Sequence, residues 1–87
     1  MQVVKVTNSE ITLSATANNI YSSKLVRITN GNTTTKHTIT IQTAGGNTIS
    51  TFTLAPFDVI AVVKNSTDAV KVDAGTDCGA SPITFIY

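Results

Sequence analysis

Several short stretches of this chain alternate apolar and polar residues with a period of two, and no other feature constrains the fold as strongly. Such alternation is typical of β-strands that bury one face. In the stretch HTITIQT, Ile39 and Ile41 are predicted to face a core. No comparable helical pattern is present, and residues 15–23 would form one turn of helix at most. The same alternation places apolar residues on one face in four further stretches: Val4 and Val6; Ile11, Leu13 and Ala15; Val70 and Val72; and Ile83, Phe85 and Tyr87.

Turn-forming residues separate these stretches and set the number of strands. Gly and Asn accept positive φ at low cost, so residues 30–32 and 44–47 are predicted to be hairpin connections. Pro56 cannot donate a hydrogen bond to a neighbouring strand and therefore predicts a further break. Residues 75–82, which contain two glycines and a proline, are predicted to form a loop.

The spacing of strands and turns predicts the fold class. In the stretch ISTFTL, the apolar phase slips between Ile49 and Phe52, and a β-bulge would reconcile the two faces. Strands that recur every 8–12 residues or so are typical of sandwiches and small barrels. We therefore expect residues 1–87 to form a single all-β domain, a small antiparallel β-sandwich or barrel of seven to eight short strands.

The charge balance argues against several classes of partner. The 87 residues include six Lys and Arg and five Asp and Glu, so the net charge is +1. A protein that binds nucleic acid or a membrane surface needs a basic patch, so neither partner is expected. No apolar run approaches the ~20 residues that span a bilayer, and no secretory leader is recognisable. Synthesis and assembly in the cytoplasm are therefore expected.

The reactive side chains form no catalytic or metal-binding pattern in the sequence. His37 has no carboxylate or second metal ligand near it in sequence, so it is predicted to lie on the surface. The stretch DAGTDCG, residues 73–79, lacks the ligand spacing of a calcium loop. Cys78 is the only cysteine, which excludes an internal disulfide and leaves its exposure open. We therefore expect that the chain is not an enzyme and that it binds no metal and no cofactor. The alternative is a site at a symmetry axis, where two copies of the chain would bring their His37 or Asp77 side chains together.

The most hydrophobic stretch, FDVIAVV, is apolar on both faces of a strand. Such a strand is either central in its sheet or covered by a second subunit. One face is expected to be core and the other an interface, which predicts a homo-oligomer. An Asp substituted on the core face should unfold the domain, and an Asp substituted on the interface face should only weaken association. Val59→Asp and Ile60→Asp, one on each face, test this in parallel. The two faces consist of Phe57, Val59, Ala61 and Val63, and of Ile60 and Val62; the predicted interface residues are Phe57, Val59, Ile60, Val62 and Tyr87.

Residues 24–87 carry a series of turn and core motifs. They are the strand KLVRITN, the hairpin GGNTISTFTLAP, the strand VIAVVK, the turn STD and the final strand PITFIY. In these motifs the chain resembles small structural proteins of tailed bacteriophages, especially those of marine cyanophages. The chain departs from their pattern at Phe57, where a glycine is expected, and at Asn65 and Ser66.

The resemblance implies a non-enzymatic virion protein. The first possibility is a capsid decoration (cement) protein that binds the outer surface of a phage head and stabilises it. The partners would then be the major capsid protein or another virion protein, and the location would be the virion. The alternative is a tail, knob or fibre-tip domain that recognises a host surface, which the Thr- and Asn-rich tips at residues 30–34 and 45–48 favour. Copy number separates the two, because a tail component is far less abundant than a decoration protein.

Overall fold

The computed structural model describes residues 3–86, and the side chains of residues 5–84 within that range. Eight β-strands make up its regular structure, and they form two antiparallel sheets. The predicted all-β sandwich or barrel of seven to eight strands is therefore confirmed. The strands are β1 (Val3–Val6), β2 (Ile11–Thr12), β3 (Leu25–Asn30), β4 (His37–Gln42), β5 (Thr48–Leu54), β6 (Val59–Val63), β7 (Ala69–Val72) and β8 (Cys78–Ile86).

The strands are divided unequally between the two sheets. The larger sheet has the order β1-β8-β3-β6, with β2 also paired to β8, and the smaller has the order β5-β4-β7. The hydrophobic core lies where β3 and β8 of the larger sheet face β4 and β7 of the smaller one. Its fully or almost fully buried side chains are Leu13, Ile20, Val26, Ile28, Ile39, Ile41, Leu54, Val70, Val72, Cys78 and Ala80.

The alternation in the sequence matches the burial in β4 and β7. Ile39 and Ile41 are buried, and the threonines between and before them are exposed or half-buried. Val70 and Val72 are buried in the same way, and the residues before each of them are half-buried. These two predictions are confirmed. Each strand buries a single face, and only then do apolar and polar residues alternate in the sequence.

The predicted loop at residues 75–82 is wrong, because β8 begins at Cys78 and lies in the middle of the larger sheet. Pro82 is tolerated there. The amide of Thr7 donates to the Pro82 carbonyl at 2.9 Å, and the nitrogen and carbonyl of one strand residue point to the same side. The side of Pro82 that lacks an N–H therefore faces the end of β1. The hydrogen bonds between β8 and β3, on the other side of β8, are not affected. Gly79 leaves room for the Glu10 side chain, since a Cβ atom would lie 2.6 Å from the Glu10 carboxyl carbon.

The connections between strands follow the predicted positions but not always the predicted type. Residues 30–32 do not form a hairpin, because β3 and β4 belong to different sheets. The buried Asn30 amide instead joins the sheets, since it donates to the Thr35 and Leu54 carbonyls at 3.0 Å each. The hairpin between β4 and β5 is confirmed, and so is its bulge: Ile41 pairs with Ser50 and Gln42 pairs with Thr48, which leaves Ile49 as the extra residue.

The one helical turn allowed at residues 15–23 is a left-handed turn. Ile20, Tyr21 and Ser22 have φ angles of 53°, 58° and 54°, in a region that L-residues avoid. The Lys64 ammonium stabilises the turn by donating to the Asn19 and Ser23 carbonyls at 2.9 and 2.6 Å. Burial lowers the pKa of Lys64, and the nearby Asp68 partly offsets that effect.

Candidate functional site

The outer face of the larger sheet, turned away from the core, is a shallow apolar groove. Directly paired residues of neighbouring strands point to the same face, so Val6 lies beside Ile83, and Arg27 lies beside Ala61. The groove has a volume of about 410 Å³. Its lining residues are Val6, Arg27, Val59, Ala61 and Ile83. We call this surface the outer groove.

Among the side chains that the structure describes, Arg27 is the only charged one that lines the outer groove. It is half-buried and lies between Ser81 of β8 and Ala61 of β6. Among the described residues it forms no ion pair with a carboxylate. A guanidinium in apolar surroundings is suited to a bidentate contact with a carboxylate, so the groove combines hydrophobic contact with one cation.

The strand predicted to form the interface, β6, lies at the edge of the larger sheet and is not central. On its outer face Val59 is 54 % exposed and Val63 is 78 % exposed. On its inner face Val62 packs against the core, and Ile60 is partly covered. The two apolar faces that the sequence indicates are thus real. The predicted interface residue Tyr87 lies outside the described residues.

Phe57 precedes β6 in a tight turn and presents its ring to solvent. The Asp58 amide donates to the Ala55 carbonyl at 3.0 Å, with Pro56 at the second turn position and Phe57, at φ 63°, at the third. These are the features of a type II turn, whose third position favours glycine. The position where the resemblance predicts glycine therefore has a left-handed backbone, and it carries an aromatic ring that is 67 % exposed.

The prediction that His37 lies on the surface is wrong. Its side chain is buried at the start of β4, where Nδ1 lies 2.7 Å from an Asp73 carboxylate oxygen and Nε2 lies 3.5 Å from one of Asp77. The hydrogen bond to Asp73 raises the pKa of His37, and burial opposes that rise. The pKa values of both aspartates are lowered, by His37 at Asp73 and first by the Asn32 amide at Asp77. Sequence reasoning missed this cluster because 36 residues separate His37 from Asp73.

The buried histidine connects separate parts of the fold. Its Nε2 atom is closed to solvent and has no hydrogen-bond partner among the described residues. The cluster therefore links β4 to the loop between β7 and β8. No group of three metal-ligating side chains occurs in the part of the chain that the structure describes.

Cys78, whose exposure the sequence left open, is buried at the start of β8. Burial raises the pKa of its thiol, and the nearby carboxylates of Asp73 and Asp77 add to the effect. A buried, protonated thiol is a poor nucleophile. Cys78 accordingly contributes to the core and not to a reactive site.

No helix within residues 3–86 is long and apolar enough to cross a membrane. A comparison of the chain with family models, with curated proteins and with solved structures found no match in any of the three. The outer groove, the exposed edge of β6 and the ring of Phe57 are therefore the features from which a function is argued.

Proposed function

We propose that the chain is a virion structural protein, a decoration protein that binds the outer surface of a phage head and stabilises it. The observation that carries the proposal is the outer groove, with its continuation along β6. Large apolar side chains that stay exposed together on one face mark a surface that contacts another protein. The resemblance of residues 24–87 to small phage structural proteins supports the same function.

The chemistry of the outer groove defines the partner. Val6 and Val59 offer exposed aliphatic side chains, Ile83 lines the groove but is only 6 % exposed, and Arg27 offers a single cation among them. The partner surface, on the major capsid protein or another shell protein, would present aliphatic side chains around one carboxylate. Such a contact depends mainly on apolar burial, and the Arg27–carboxylate pair would set its register.

Copy number on the particle tests the proposal directly. Quantitative mass spectrometry of purified particles should find the chain in hundreds of copies, on the scale of the major capsid protein. A count in the tens would favour the tail, knob or fibre-tip alternative. Absence from the particle would rule out both virion functions.

Binding of purified protein to particles that lack it tests the surface. Val59→Asp places a charge in the outer groove and should weaken binding at least tenfold, since it desolvates a charge against apolar contacts. Ile49→Asp is the matched control, because Ile49 is 52 % exposed, close to the 54 % of Val59, but lies in the other sheet. Equal binding by the two variants would place the contact elsewhere.

A further inference from the structure

Three of the four sheet edges carry features that discourage pairing with another strand. The edge strand β5 contains the bulge at Ile49, and β1 is only four residues long and includes Lys5. The outer edge of β7 is covered by the loop between β2 and β3, since Val70 exchanges backbone hydrogen bonds with Asn18 and the Val72 amide donates to the Ser14 carbonyl. These features disfavour pairing with a further strand at each of the three edges.

The fourth edge, β6, has none of these features. Its five residues are all apolar, without a charge, a proline or a bulge. Lys64, which follows the strand, does not protect the edge, because its ammonium is buried against the carbonyls of Asn19 and Ser23. Among the described strands, β6 pairs only with β3. An apolar edge of this kind is a template for pairing with another chain.

The hydrogen-bond pattern shows which backbone groups of β6 are free to pair. The Asn30 amide donates to the Asp58 carbonyl at 3.0 Å, and the Lys64 amide donates to the Lys24 carbonyl at 2.9 Å. Bonding to a neighbour alternates along an antiparallel strand, so Ile60 and Val62 also bond to β3. The amides and carbonyls of the three intervening residues point to the open edge. They belong to Val59, Ala61 and Val63.

We propose that β6 pairs antiparallel with β6 of a second copy about a two-fold axis at Ala61. The segment DVIAVVK is self-complementary in this register. Val59 lies opposite Val63 of the second copy, Ile60 lies opposite Val62, and the Ala61 residues of the two copies face each other. Asp58 lies opposite Lys64 of the second copy at both ends, so no like charges face each other across the pairing. The Lys64 ammonium stays buried against carbonyls of its own chain and adds no ion pair there.

The pairing deepens the proposed function, on which its biological role rests. It would join the two larger sheets into one, with both outer grooves on the same face. The face that binds the particle would then be doubled, and the two-fold axis would pass through its centre. Dimerisation itself is a property of the isolated chain, so it is measured without a particle.

Cysteine cross-linking tests both the strand and its register. In a hydrogen-bonded antiparallel pair the Cα atoms lie about 5.5 Å apart, within the ~4.4–6.8 Å that a disulfide spans. Ala61→Cys should therefore give a covalent dimer under mild oxidation. Val63→Cys is the matched control, because it is more exposed but lies roughly 13 Å from its own counterpart. The native Cys78 is buried and does not compete. Equal cross-linking of both variants, or of neither, would overturn the proposed register.

Sizing by light scattering tests the pairing without a new thiol. The wild-type chain should be a dimer, and Val63→Lys should shift it to monomer by at least tenfold in dissociation constant, because it introduces a charge opposite Val59. Ile49→Lys should remain dimeric, since Ile49 lies in the other sheet. A wild-type monomer would overturn the inference, even if β6 pairs with a strand of a shell protein on the particle. A dimer that fails to bind particles would contradict the proposed function and leave the pairing intact.

Discussion

The carboxylates of Asp73 and Asp77 lie against His37 from two sides, so the charge of one imidazole affects how β4 is held to the loop before β8. The hydrogen bond to Asp73 raises the pKa of His37 above 6.5. The contribution of His37 to stability is therefore complete below pH 6.5, and it is lost as the pH rises through the pKa that His37 has in the folded protein. The aspartates have lowered pKa values, so their contribution is lost only in acid, below about 3.8. Stability from this cluster is greatest in weak acid.

His37→Gln should lower the free energy of unfolding by about 1–3 kcal/mol at pH 6, the usual cost of removing a buried hydrogen-bonded group. The difference from wild type should shrink toward pH 9, where the imidazole is neutral. Urea unfolding at both pH values measures it. Lys36→Gln, at the exposed neighbouring position, should follow the wild type at each pH. A loss that is equal at pH 6 and pH 9 would assign the histidine a packing role alone.

Phe57 combines a left-handed backbone, which glycine adopts without strain, with an exposed ring. Phe57→Gly should raise the free energy of unfolding by about 0.5–1 kcal/mol, since the relief of strain exceeds the entropy that glycine adds to the unfolded chain. Thermal melting is the measurement, and Phe57→Ala, which keeps a Cβ atom, should show no gain. A less stable glycine variant would mean that the ring packs in the folded domain. Strain that is retained under an exposed ring is typical of a contact surface.

At the scale of elements, β6 separates two functions on its two faces. Val62→Asp should lower the free energy of unfolding by about 2–4 kcal/mol, because it buries an unpaired charge beside the core. Val63→Asp should change it by no more than about 0.5 kcal/mol, because that side chain is 78 % exposed. Circular dichroism at low protein concentration, where association does not contribute, compares the two. Equal destabilisation would contradict the assignment of the faces.

The elements differ in how readily the sequence predicts them. Strands β4 and β7 bury one face each, so Ile39, Ile41, Val70 and Val72 alternate with polar residues and are recognised directly. Strand β8 is hidden because Gly79 and Pro82 are usual strand breakers. Both are accommodated by contacts that the sequence does not display, the approach of the Glu10 carboxyl and the end of β1.

At the scale of the whole molecule, the fold class follows from local patterns, but the candidate surface depends on topology. The two apolar faces of β6 can be read from its residues, yet its place at an edge follows from strand order, which short-range patterns do not determine. The same holds for Asn30, which looks like a hairpin residue and instead connects the two sheets. The prediction for His37 is wrong for a related reason, because three strands, β5, β6 and β7, separate it in sequence from its partner Asp73.

The three protected edges also limit how far an assembly of this chain can grow. A sheet with two open edges can add copies at both ends and extend into a fibril. A sheet with one open edge has no second site once that edge is occupied, so a two-fold contact closes the assembly at two copies. The bulge at Ile49, the cover over β7 and the short β1 therefore disfavour growth beyond two copies, while the chain keeps an apolar strand at its surface.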